Sequence, residues 1–150
     1  MASIECPQRE QALKDFEEKW QHDTLVMDKW FAIQATSSLP DTLEQVKTLM
    51  QHKLFSIKNP NKVRSLIGAF AAGNPVNFHN ADGSGYEFHA DRVLELDKLN
   101  PQVASRMVRL LMNWRHYEVG RSELMRKQLE RIKAQQGLSN DVFEIVSKAL

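Results

Sequence analysis

One cysteine, Cys6, occurs in 150 residues, so no internal disulfide can staple this chain and a packed core has to hold it. With 42% hydrophobic residues there is enough apolar material for one such core, and a single domain over residues 1–150 is the expectation. A lone cysteine fits a reducing compartment, with the cytoplasm as the default location. No run of 18 apolar residues is present, which excludes a transmembrane helix, and the first residues lack the basic-then-apolar order of a secretion signal. Met1 reads either as a native start or as a boundary inside a longer protein. An excess of either charge is also missing. Lys and Arg number 20 against 19 Asp and Glu, leaving +1, so the whole chain lacks the electrostatic footprint of a nucleic-acid binder. There is no glycine-rich phosphate loop and no Gly-x-Ser-x-Gly nucleophile turn.

What is present is helical periodicity from end to end. The first helix is expected over Pro7 to Gln21, with Leu13, Phe16 and Trp20 as its apolar stripe. The second, Thr24 to about Thr36, places Val26, Trp30 and Ile33 on one face with Met27 and Phe31 widening it, so it should be an inner helix. A third begins near Ser38, where Ser38 and Asp41 resemble a capping box and Pro40 falls in the first turn; Leu43, Val46 and Met50 form its core face. Leu54 to Ile57 is too short and too isolated for a strand and reads as a linker.

The fourth helix, Pro60 to Ala72, buries Val63, Leu66, Ile67 and Phe70 and stops at Gly73. After it, Asn74 to Gly83 is the longest irregular piece. Ser84 and Glu87 form a capping box for the fifth helix, which runs to about Leu99. The sixth, Pro101 to about Trp114, buries Val103, Met107 and Leu110; the seventh, Glu118 to Gln136, is a charged outer helix with Met125, Leu129 and Ile132 inward and Gly137 at its end. Ser139 and Asp141 open the eighth, with Phe143, Val146 and Leu150 as its apolar face. The fold class is therefore all-α: about eight helices in antiparallel pairs, a HEAT- or armadillo-like α-solenoid.

Two helix starts share one design. Asn59-Pro60 and Asn100-Pro101 each set a side-chain cap before a proline whose φ suits the first helical turn, and they lie 41 residues apart, a period that suits a stacked helix-pair repeat. Each is followed within a turn or two by an arginine, Arg64 and Arg106.

The same stretch carries a family resemblance. Asn59-Pro60-Asn61-Lys62-Val63-Arg64-Ser65-Leu66-Ile67-Gly68-Ala69-Phe70, Phe78-His79, Asp82-Gly83-Ser84-Gly85-Tyr86 and Asn100-Pro101-Gln102-Val103-Ala104-Ser105-Arg106 closely resemble the C-terminal helical domain of the bacterial aminopeptidase N family, M1-type zinc aminopeptidases. The resemblance extends to Leu150 and is strongest from Leu54 to Arg106. One departure is His89, where the family pattern leads one to expect an aliphatic residue after Tyr-x-Phe.

The resemblance implies a parent enzyme that removes N-terminal residues from peptides, with this segment as a non-catalytic domain that caps the catalytic domain of the same chain and lines the peptide chamber. Zinc belongs to the parent. Within the segment the histidines are His22, His52, His79, His89 and His116, none four apart, so neither a metal site nor a catalytic residue is expected here. The resemblance assigns Arg64 and Arg106 to the channel. On an α-helix Arg64 lies roughly 60° from Ile67 and Arg106 roughly 60° from Val103, at the border of a buried stripe, from which a guanidinium can reach a peptide carboxylate or carbonyl. The alternative for each is an ion pair with a neighbouring Asp or Glu. Trp20, Trp30 and Trp114 read as core or interface anchors and His79 as a residue that fixes its loop. Partners are thus the parent's catalytic domain and peptide substrates, with no nucleic acid and no membrane; the competing reading is an independent α-solenoid adaptor for another protein.

Overall fold

A computed structural model describes residues 7–150 of the chain; Cys6 and the Met1 start lie outside the described residues. The elements in order are α1 (Pro7–Trp20), α2 (Thr24–Ala35), α3 (Thr42–Leu49), α4 (Pro60–Val63), α5 (Ala69–Gly73), α6 (Pro75–Phe78), α7 (Ser84–Leu99), α8 (Pro101–Val108), α9 (Val119–Lys133) and α10 (Asn140–Ala149). A π-helical turn, Arg64–Gly68, joins α4 to α5 without a break, and a 3-10 turn, Arg109–Leu111, extends α8. No strand occurs among the described residues, and Leu54 to Ile57 is irregular. The helices form two compact units, one ending at Asn77 and one spanning Phe78–Leu150.

In the first unit α2 packs on α1, on α3 and on the helix that includes the π turn. Its buried face is Met27, Trp30, Phe31, Gln34 and Ala35, whereas Ile33 is exposed and Val26 half-buried, so the inward stripe is rotated from the one expected. Gln34 is drawn inward because its amide is satisfied, donating to the Trp30 carbonyl and meeting the Gln45 side chain. The indole N–H of Trp30 donates to the Leu13 carbonyl at 2.9 Å, tying α1 to α2. Trp20 is too exposed to anchor a core: it lies near Phe16 with Lys19 over its ring.

The third helix starts later than expected. Asp41 is its N-cap, without a side-chain cap hydrogen bond; Thr42 opens α3 and its hydroxyl donates to the carbonyls of Ser37 and Leu39. Val46 and Leu49 are the buried pair, with Leu43 and Met50 half-buried.

Two buried amides fix the junction after α2. Asn74 donates to the Ala35 and Ser37 carbonyls at 2.9 and 2.6 Å, and Asn77 donates to the carbonyls of Ser37 and Leu39. The backbone turns out of α5 at Asn74, with φ −132° and ψ 72°, and not through a left-handed Gly73. A Cβ on Gly73 would come 2.8 Å from the Thr36 methyl group, so close approach is the reason for glycine there. Short α6 occupies part of the stretch expected to be irregular.

In the second unit α7 packs on α8 and α9, and α10 packs on both α8 and α9. The cap of α7 also differs from expectation. Gly83, in the left-handed region at φ 79°, is the N-cap, and the Asp82 carboxylate, in place of Ser84, accepts the Ser84 N–H at 2.8 Å. Asn100 caps α8 through the Val103 N–H, and Ser139 caps α10 through the Val142 N–H. Met125, Leu129 and Ile132 are buried on α9 as the period requires, and Gly137 has φ 76°. On α8 and its extension Leu111 is buried and Leu110 only half-buried; on α10 the buried set is Val142, Ile145, Val146 and Ala149, with Phe143 exposed.

Candidate functional site

Arg64 stands at the first position of the π turn, so 100° per residue does not apply across residues 64–68 and the angle to Ile67 is not the α-helical one. Val63, Leu66, Ile67 and Phe70 are nonetheless all buried, and Arg64 is exposed. The local frame is firm: the Asn59 side chain accepts the N–H groups of Asn61 and Lys62, and the Arg64 guanidinium donates to the Asn61 side-chain carbonyl. Next to it, Lys62 is buried, its ammonium donating to Asp28 at 2.6 Å and to the Thr24 carbonyl at 3.2 Å, with the Phe31 ring 5.5 Å away. Sequence reading missed Lys62, because nothing in the Asn59-Pro60-Asn61-Lys62 start shows that Asp28 lies opposite.

Arg106 is exposed on α8, at the edge of the stripe of buried Val103, Ala104, Met107 and Val108. It borders an open groove of about 490 Å³ lined by α8 and α10. Among the described residues neither Arg64 nor Arg106 pairs with a carboxylate: Arg64 bonds an amide, and Arg106 has no hydrogen-bond or ion-pair partner. The two belong to different compact units, Arg64 to the first and Arg106 to the second.

His79 fixes its surroundings through both ring nitrogens, Nδ1 to the Tyr86 hydroxyl at 2.6 Å and Nε2 to the Tyr117 hydroxyl at 3.3 Å, while its ring stacks on Tyr117. Arg121 donates to the His79 carbonyl at 2.5 Å and to Glu118 at 2.7 Å. Burial, followed by the Arg121 charge, holds the His79 ring below its ordinary pKa, and burial pushes the Tyr86 phenol up to about 12. Both groups are therefore neutral at pH 7 and serve as hydrogen-bond partners.

His89 occupies the position where an aliphatic residue is expected, and it is fully buried. Its Nε2–H donates to the Met107 carbonyl at 2.6 Å, Nδ1 has no partner, and burial holds its pKa at about 4. Among the described residues no three His, Cys, Asp or Glu side chains gather as a group that could hold a metal ion. No helix among them is long and apolar enough to cross a membrane.

The whole chain, residues 1–150, matches a family model described as a domain of unknown function (DUF3458_C), ARM repeats. It is 46% identical over 148 residues to the aminopeptidase N of Escherichia coli, covering 99% of this chain and 17% of that protein. It is 48% identical over 149 residues to the aminopeptidase N of Haemophilus influenzae, again covering 99% of this chain and 17% of that one. A crystal structure of Legionella pneumophila aminopeptidase A in complex with aspartic acid superposes with a TM-score of 0.93 at 37% identity, covering 98% of this chain and 17% of that chain. The chain thus spans about a sixth of the length of the relatives it matches, in their C-terminal region. A helical chain matched along its full length by the repeat model and superposing on a solved relative at this level is a member of the DUF3458_C ARM-repeat family, homologous to the C-terminal region of bacterial aminopeptidase N.

Proposed function

We propose that this chain is a single, non-catalytic C-terminal α-solenoid domain of a cytoplasmic, zinc-dependent aminopeptidase, capping the catalytic domain of the same parent chain and lining its peptide chamber. The observation that carries the reading is the alignment of 99% of the chain with 17% of an aminopeptidase N. Zinc would be held elsewhere in the parent, because no two of the five histidines stand four apart in the sequence.

What this segment contributes is charge and shape. Arg64 and Arg106 line the channel and attract the C-terminal carboxylate or backbone oxygens of a peptide whose N-terminus is held at the reacting end. Support comes from their exposure and from the absence of carboxylate partners among the described residues: the Arg106 guanidinium has no partner there, and that of Arg64 bonds only the Asn61 amide and keeps further donors for a substrate oxygen.

The test uses the full-length parent. Arg64→Ala or Arg106→Ala should raise KM for peptides long enough to reach the arginine by roughly five- to thirtyfold, with kcat little changed, because the contact is remote from the reacting bond. Single-residue chromogenic substrates should respond less. Equal losses for short and long substrates together with a lowered Tm would make the arginines structural. A gene without a zinc-binding helix upstream would support the independent adaptor instead.

A further inference from the structure

The groove beside Arg106 has two walls of matching design. On α8 and its 3-10 extension, Gln102, Ser105, Arg106 and Arg109 follow the spacing i, i+3, i+4, i+7, a single helical stripe. On α10, Asp141, Glu144, Ile145 and Lys148 repeat the same spacing. The two stripes face one open groove of about 490 Å³.

Its charges are mostly unspent. Lys148 and Glu144 pair with each other at 3.2 Å along α10. Among the described residues the side chains of Arg106, Arg109 and Asp141 have no hydrogen-bond or ion-pair partner, although the guanidinium groups and the carboxylate line the same groove. The guanidinium groups and the carboxylate thus line the groove without pairing across it, beside the nearly buried Ile145.

We propose that this groove is a carboxylate-recognition site for the C-terminal end of a peptide, with Arg109 as a second specificity residue beside Arg106. This rests on the channel reading of Arg106 and names the substrate feature that it takes. Two guanidinium groups three positions apart on one helix present donors to one carboxylate, a geometry suited to planar, forked recognition. Asp141 on the opposite wall repels the carboxylate and so confines it to the arginine side. Preference for a free C-terminus follows, because an amidated end offers nothing to the arginines.

The experiment is an NMR titration of the isotope-labelled 150-residue chain with penta-alanine carrying a free C-terminal carboxylate, and separately with the C-terminally amidated form. The free acid should shift amides within residues 102–109 and 141–148 and bind about fivefold or more tightly than the amide. Arg109→Gln, at an exposed position, should weaken the acid by about fivefold and leave the amide unchanged, with dispersion elsewhere intact. Asp141→Asn should move binding of the acid the other way, about twofold tighter, a sign that a merely structural role would not produce. Equal binding of acid and amide, shifts confined to other surfaces, or no shift at millimolar peptide would overturn the proposal. Binding at the groove without any effect of Arg109→Gln on peptide hydrolysis by the parent would instead count against the channel reading and leave the carboxylate site standing.

Discussion

Replacing His89 with leucine should remove much of this protein's sensitivity to acid while costing little at neutral pH. The imidazole is fully buried, with Nδ1 unpartnered, and burial holds its pKa at about 4 against 6.5 for an exposed ring. Because the folded-state value is depressed, the unfolded chain binds the proton more readily. The neutral ring therefore favours the fold above pH 6.5, and that advantage is lost as pH falls towards 4. Linkage gives a loss of about 2 kcal/mol by pH 5 and about 3 kcal/mol by pH 4. In the leucine variant the side-chain volume is nearly kept, and the cost of losing the bond to the Met107 carbonyl is common to both pH values. Carboxylates titrate in both proteins and cancel in the comparison. For a chain of this size 1 kcal/mol moves Tm by about 2–4 °C, so the difference in Tm between variant and parent should grow in favour of the variant by roughly 4–8 °C between pH 7.5 and pH 5. Thermal melts followed by circular dichroism at the two pH values measure this. A gap that stays constant within about a degree would refute the reasoning.

Asp28→Ala strands the buried Lys62 ammonium and should cost about 3 kcal/mol in urea unfolding; a loss under about 1 kcal/mol would show the pair to be effectively solvated. A Cβ on Gly85 would overlap the Phe78 carbonyl, a backbone atom that cannot swing aside, so Gly85→Ala should destabilise by about 2–3 kcal/mol, whereas Gly73→Ala, which meets only a side-chain methyl, should cost less. Equal Tm shifts for the two glycine variants would contradict that distinction.

Much of the helical plan was legible because apolar spacing on a helix survives without knowledge of neighbours: α1, α2, α7 and α9 begin and end within a few residues of where their periods place them. Caps were less legible. Asn59, Asn100 and Ser139 cap as their residue types suggest, yet α3 takes Asp41 and α7 takes Gly83 as N-cap in place of the expected Ser38 and Ser84, since a helix start depends on a backbone entry angle that the preceding turn controls. Of the candidate site, the two arginines were visible as border residues. The Asn61 contact of Arg64 is local, three positions back, but the groove beside Arg106 and Arg109 depends on α10 side chains distant in sequence.

The sequence by itself determined an all-helical chain, the paired Asn-Pro helix starts and the lack of any metal-ligand spacing, because each is a matter of local periodicity, local φ or local ligand geometry. Tertiary structure alone decided which stripe of α2 faces inward, why Lys62 and His89 are buried, and why Gly73 and Gly85 must lack a Cβ. Those outcomes turn on which partner atoms lie opposite. A buried charge needs a counter-charge and a close helix approach needs an empty Cβ position, and neither requirement is written in the residues next along the chain.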